Sequence, residues 1–188
     1  MTTQLRISRD WAFALGFGAL GLILRLWNLA SPKGKIFDEV YYATNAQSLL
    51  QNGVEIDSKS GLAQFIVHPP TGKWLIAIGI KLFGYNEFGW RFAAALIGSL
   101  SIVLMYFTAK KLFNNQLLSV FAAALISMDG LHLVHSRIAL LDIFLLFFIQ
   151  IAVLALLHQK YWLCAIGLGL ATSVKWSGLY VLIAFALL

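Results

Sequence analysis

The sequence predicts an all-α fold, a polytopic transmembrane helical bundle with amphipathic helices at the interface of its first loop. Three observations carry that expectation. The chain is 60% hydrophobic and 12% charged, with a mean hydropathy of +0.81, far too apolar for an ordinary soluble domain. It holds several apolar runs near the ~20 residues that cross a ~30 Å hydrocarbon layer. Its polar residues are also concentrated: one excursion from about Ser31 to Lys73 contains Asp38, Glu39, Glu55 and Asp57, four of the eight acidic residues. An apolar chain with one long charged excursion places its chemistry there.

The spans are expected at about 11–30, 88–108, 117–130, 138–157 and 161–188, with a loop at about 31–87, all within one domain, 1–188. The first follows a polar head with Arg6 and Arg9. It is long for a cleaved signal, lacks a small-x-small site and carries Arg25 and Asn28, so it reads as an uncleaved helix. Inside the loop, Val40, Ala43, Ala46, Leu49 and Leu50 recur at helical spacing with Asn45, Gln47 and Ser48 turned away. That pattern predicts an amphipathic interfacial helix stopped by Asn52-Gly53. Glu55 to Gly61 reads as a turn. Pro69-Pro70 blocks helix before it, and Thr71 is placed to cap a short helix through Phe83, too short to span.

Arg91 opens the second span and Lys110-Lys111 close it; Asn114-Asn115-Gln116 is a tight turn into the third. Asp129 to Arg137 forms a polar corner before the fourth span, His158-Gln159-Lys160 follows it, and Lys175 interrupts the fifth. The final apolar run, Gly178 to Leu188, has no polar flank, which reads as the N-terminal part of a longer protein or an abbreviated relative. Lys110, Lys111 and Lys160 fall on the side of the N-terminus. The positive-inside rule then makes the N-terminus cytoplasmic and puts the Asp38 loop and the Asp129 corner together on the extracytoplasmic side.

The formal charge of +6 comes from basic residues scattered between apolar spans, so no nucleic acid partner is expected. The single cysteine, Cys164, excludes an internal disulfide. There is no zinc-type Cys/His spacing and no phosphate-binding glycine loop. His132 and His135 with Asp129 make a poor metal set, so neither a metal nor a cofactor is predicted.

Four kinds of residue could carry chemistry. Asp38 and Glu39 are adjacent carboxylates whose side chains point opposite ways in an extended loop. One can face a substrate hydroxyl as general base while the other holds the loop; a solvated acidic pair is the structural alternative. Asp142 lies in an apolar span, where an unpaired charge costs at least ~2.5 kcal/mol. It needs a partner, and His135, Lys175 or a loop residue suits better than Arg137. Lys175, deep in the fifth run, either snorkels or, as its depth favours, meets an anion. Arg25, Arg91 and Arg137 near the extracytoplasmic boundary suit phosphate oxygens or act as snorkelling anchors. His68 is a weak signal alone.

The ordered motifs resemble one family. Arg25 with Pro32, Phe37-Asp38-Glu39-Val40-Tyr41-Tyr42-Ala43, His68-Pro69-Pro70-Thr71-Gly72-Lys73, Leu82-Phe83-Gly84, Arg91, Ser136-Arg137-Ile138-Ala139-Leu140-Leu141-Asp142 and Ser173-Val174-Lys175-Trp176-Ser177-Gly178 are similar to those of the protein O-mannosyltransferases of glycosyltransferase family 39 and their bacterial relatives. These are polytopic enzymes of the glycosyltransferase C type. The resemblance implies transfer of a hexose, mannose first, from a polyprenyl-phosphate carrier to a hydroxyl of a protein, with inversion, on the extracytoplasmic face of a bacterial plasma membrane. It implies Asp38 as base, with Glu39 beside it; Arg25, His68, Lys73, Arg91, Arg137, Asp142 and Lys175 are the candidates, from the residues themselves, to hold the lipid phosphate or sugar. The family carries roughly twice as many spans, and Thr71 stands where Leu is common. Two other readings are a lipid A aminoarabinose transferase-like enzyme, with a lipid acceptor, and a transport or scaffold protein braced by Asp142 and Lys175.

Overall fold

The computed structural model describes residues 2–57, 60–64 and 66–187, with side chains from residue 9 onward. The side chain of Arg6 in the basic head, and residues 58 and 59 of the expected turn, therefore lie outside what is described. Nine helices and no strand occur among the described residues: α1 (Thr2–Leu26), α2 (Glu39–Asn52), α3 (Thr71–Phe83), α4 (Glu87–Phe113), α5 (Gln116–Met128), α6 (Gly130–His135), α7 (Asp142–Leu157), α8 (Tyr161–Val174) and α9 (Gly178–Ala186). One isolated bridge, Ile56 to Ala63, closes the turn in the loop.

Helix α4 is the spine. At ~1.5 Å per residue, 27 residues reach ~40 Å. It is the one described helix both long and apolar enough to cross a membrane, while α5, α7 and α8 are apolar but shorter. The Asn86 side chain caps its start by accepting from Gly89 N at 2.9 Å. Glu87 in the first turn and Lys110 and Lys111 in the last oppose the helix dipole. Around α4 pack α1, α3, α5 and α7. Gly79 of α3 and Gly89 of α4 let two backbones touch, since a Cβ on Gly79 would run into the Gly89 carbonyl.

Three apolar clusters hold the bundle. The largest joins α2, α3, α4, the 138–141 turn, α7 and α8 through residues such as Tyr42, Ile76, Ala94, Leu141, Phe144 and Val174. A second joins α1, α4 and α5 around Ile102, Tyr106 and Ala123. A third joins α7, α8 and α9 around Ala152, Cys164 and Leu168.

Several boundaries differ from expectation for local reasons. The first helix begins at Thr2 rather than near 11, because the polar head continues the helix. The third expected span ends at Met128, where Asp129 leaves the helix and caps α6 through His132 N at 2.7 Å. The fourth starts at Asp142 rather than 138, because Ile138 O takes the Leu140 N–H in a tight turn. Thr71 is the first residue of α3, and Pro70 holds the cap position without a side-chain bond. In α2 the buried face is Glu39, Tyr42, Ala43, Ala46 and Ser48, whereas Val40 and Leu50 are exposed. That rotation follows from tertiary demands: Glu39 and Ser48 have partners inside, with Ser48 accepting from Ile56 N and donating to Val54 O.

Candidate active site

The adjacent carboxylates separate. Phe37 takes a left-handed φ of 52° and Asp38 then stands at the N-cap of α2. The Asp38 side chain does not cap the helix; it lines a cavity of about 290 Å³ with Tyr42, Asn45, Gln64, His68 and Lys73. Glu39, one residue on, is fully buried. It accepts from Arg91 Nε and Nη2, both at 2.8 Å, from Ile36 N at 3.0 Å and from Ala139 N at 2.9 Å. Arg91 also donates to the carbonyls of Leu29, Pro32 and Gly34. Glu39 and Arg91 thus join the loop's entry, α4 and the turn before α7, and both have their hydrogen-bonding capacity turned inward.

Two further ion pairs lie in this region, one of them through the cavity-lining Lys73. Lys73, in the first turn of α3, is buried against Glu55 Oε1, and Glu55 Oε2 accepts from Asn45 Nδ2 at 2.8 Å. This links α3, the loop and α2 below Asp38. Lys175 lies in extended backbone between α8 and α9 and bonds Asp142 Oδ1 at 2.8 Å. Both members of that pair are partly exposed. Trp176 Nε1 donates to Val67 O at 2.9 Å and holds the break in this apolar run against the residue before His68.

Electrostatics tie these groups into one neighbourhood. Burial, then Asp38, then Asp142 push the Tyr42 phenol up to about 12. Burial lowers the His68 imidazole, and Lys175 and Lys73 lower it further against the opposing pull of Asp142 and Asp38. His68 Nδ1 is buried with no hydrogen-bond partner, and its ring lies 6.2 Å from that of Tyr42. The cavity therefore collects a carboxylate, a neutral imidazole, a protonated phenol and two lysines near its walls. That set can accept a hydroxyl proton and offset a developing anion.

Of the residues named from sequence, Asp38, His68 and Lys73 share this cavity, and the Asp142–Lys175 pair lies outside its lining but close enough for its charges to act on His68. Three arginines named as donor-ligand candidates make protein contacts away from this cavity. Arg25, fully buried, donates through Nε to Ser136 Oγ at 2.8 Å, through Nη1 to Gly21 O and through Nη2 to His132 Nδ1 at 2.8 Å. Arg137 caps the end of α1 through the carbonyls of Leu24, Arg25 and Asn28. Arg91 is bound as described. Glu55 and Tyr42 stood in the sequence only as one acid of the polar excursion and one aromatic of a motif, because neither has a spacing that marks a site.

With that geometry in view, a family model described as PMT, dolichyl-phosphate-mannose-protein mannosyltransferase, matches residues 16–188. The chain belongs to that family. This family member is 37% identical to the polyprenol-phosphate-mannose–protein mannosyltransferase of Mycolicibacterium smegmatis, over 96% of the chain and 41% of the relative. It is 35% identical to an undecaprenyl phosphate-alpha-4-amino-4-deoxy-L-arabinose arabinosyl transferase 1 of Pseudomonas fluorescens, over 80% of the chain and 27% of the relative. Its fold matches that of apo ArnT from Cupriavidus metallidurans with a TM-score of 0.75 at 20% identity, covering 96% of this chain and 36% of that one. The PMT member thus spans about two-fifths of the length of the mycobacterial relative.

Proposed function

We propose that this chain forms the N-terminal part of a membrane enzyme that moves a mannosyl unit from a polyprenyl-phosphate carrier to a hydroxyl of a protein, on the extracytoplasmic face. The bundle crosses the membrane several times, with the N-terminus cytoplasmic. One observation carries the reading: two neighbouring carboxylates have different surroundings, Glu39 buried under Arg91 and Asp38 lining a cavity beside His68 and Lys73.

In this mechanism Asp38 accepts the proton of the acceptor hydroxyl as its oxygen attacks the anomeric carbon. The bond to the lipid phosphate breaks on the opposite face, so the configuration inverts. The phosphate leaves with the electron pair and needs cations. Lys175, only partly covered, and the neutral His68, able to donate one N–H, suit that task, with Lys73 behind them. Such preorganised contacts contribute about 3 kcal/mol each when charge develops in a partly dry site. Glu39 positions the loop and takes no proton.

The test is transfer by the complete polypeptide from a radiolabelled polyprenyl-phosphate mannose, with extracted protein and lipid fractions counted separately. Label in Ser or Thr of protein supports the reading. Label confined to a lipid acceptor moves the chain towards the aminoarabinose transferase-like reading suggested by its Pseudomonas relative. Single cysteines at 38 and 137 should both react from outside the membrane; reaction of either only from the cytosol would refute the common pocket.

A further inference from the structure

A second cavity lies under α6, on the other flank of Asp142. It has a volume of about 320 Å³, and Leu131, Ile143 and Leu146 form its apolar wall. Asp129, His132, His135 and Asp142 supply its polar groups. His132 is 6% exposed, and its Nε2 is buried with no hydrogen-bond partner.

The tautomer of His132 follows from its neighbour. Arg25 Nη2 lies 2.8 Å from Nδ1, and a guanidinium can only donate, so Nδ1 accepts and Nε2 carries the hydrogen. Accepting from a cation polarises the ring and strengthens Nε2–H as a donor. An orphaned buried donor is destabilising, and a ligand acceptor would satisfy it. The cavity's lining also carries two carboxylates: Asp129, whose Oδ1 caps α6, and Asp142, whose Oδ1 holds Lys175. Two carboxylates disfavour a phosphate in this cavity. Among the described residues no three His, Cys, Asp or Glu side chains are grouped to hold a metal ion. The group that suits one N–H donor, two anionic acceptors and an apolar wall is a hydroxyl-bearing ring, because each hydroxyl both donates and accepts. The volume lies at the lower end of the ~300–1,000 Å³ range of ligand pockets, the size for one monosaccharide unit.

We propose that this cavity is a monosaccharide-binding pocket in which His132 Nε2–H donates to one ring hydroxyl and Asp129 and Asp142 accept from others. The choice of mannose rests on the mannosyl-transfer reading above; the pocket itself rests on the geometry. Asp142 then lines the sugar's cavity while its charge reaches His68 in the cavity that holds Asp38.

The test uses the complete polypeptide in detergent with methyl α-mannoside as probe and saturation-transfer NMR as readout. His132→Asn keeps an acceptor for Arg25 but cannot reach into the cavity. Asp129→Asn keeps a good helix cap and removes the charge. His132→Asn should weaken mannoside binding about fivefold and Asp129→Asn about tenfold or more, in line with losing a neutral and a charged hydrogen bond. Asp38→Asn should leave binding within twofold. Thermal unfolding checks each variant, and Asp129→Asn carries the test if His132→Asn fails to fold. A short-chain polyprenyl-phosphate mannose is then added: displacement of the mannoside assigns the pocket to the donor's sugar, and joint binding assigns it to a second sugar. No saturable binding by the parent protein overturns the proposal, as does binding unchanged by both pocket variants. Binding lost only in Asp38→Asn places the sugar in the other cavity, which overturns this inference and leaves the mannosyl-transfer reading standing.

Discussion

Replacing Glu39 by Ala should destabilise the protein severely, and the structure says by how much. Glu39 and Arg91 have no exposed side-chain surface. The substitution removes both acceptors of a bidentate pair and also strips Ile36 N and Ala139 N of their partner. Three backbone carbonyls remain around Arg91 but carry no countercharge. Leaving one member of a buried pair uncompensated costs about 3–5 kcal/mol. At about 2–4 °C per kcal/mol for a chain of this size, the midpoint falls by roughly 6–20 °C. Thermal unfolding of the detergent-solubilised protein gives the measurement, and a double-mutant cycle gives its cause. Glu39→Ala with Arg91→Met removes the orphaned charge, so the double variant should be more stable than the sum of the two single losses implies. A loss below about 1 kcal/mol for Glu39→Ala, or strict additivity, would refute the assignment of this pair as the clasp between loop, α4 and the α6–α7 turn.

Other perturbations test other joints. Exchanging the charges of Asp142 and Lys175 should keep the midpoint within a few degrees, because both are partly exposed, while transfer stays lost; recovered transfer would make the pair a brace. Burial first and Arg25 next lower the His132 pKa to about 4 and hold the ring neutral, against the opposing pull of Asp129. The unfolded chain therefore binds the extra proton between about pH 6.5 and 4, so stability falls as pH drops through that window and levels off below it. Histidine NMR should show His132 still neutral at pH 5, and a titration near 6.5 would contradict the Arg25 contact. Gly79→Ala should cost about 1–3 kcal/mol by forcing apart the α3 and α4 backbones; an unchanged midpoint would show that the helices slide freely.

The sequence was most informative where the signal is local. Pro69-Pro70 and Gly84 bound α3, Asn52-Gly53 ends α2 with Gly53 at φ 74°, and Lys175 interrupts the last apolar run, all from chain-neighbour chemistry. The parting of Asp38 from Glu39 was legible as a geometric option, and Lys175 stood among the partners considered for Asp142 because a carboxylate in an apolar run needs a partner. The arginines were not legible. Arg25 meets Ser136 and His132 more than a hundred residues away, and Arg91 meets Glu39 across 52. No periodicity encodes such pairings. An arginine near a boundary looks the same whether it faces a phosphate or a carbonyl. The face of α2 was misjudged for a related reason: an apolar stripe gives way when Glu39 and Ser48 have fixed partners inside. His132 was weighed only as a metal ligand, and its orphaned nitrogen exists only because Arg25 occupies the other one.

The account turns on Asp38 meeting the substrate while Glu39 does not, and single-turnover transfer by the complete polypeptide, with saturating donor, measures this directly. Asp38→Asn should leave donor affinity and thermal midpoint near those of the parent and slow transfer by about 10²–10⁴-fold, the usual contribution of a general base. Transfer at the parental rate by Asp38→Asn would contradict it.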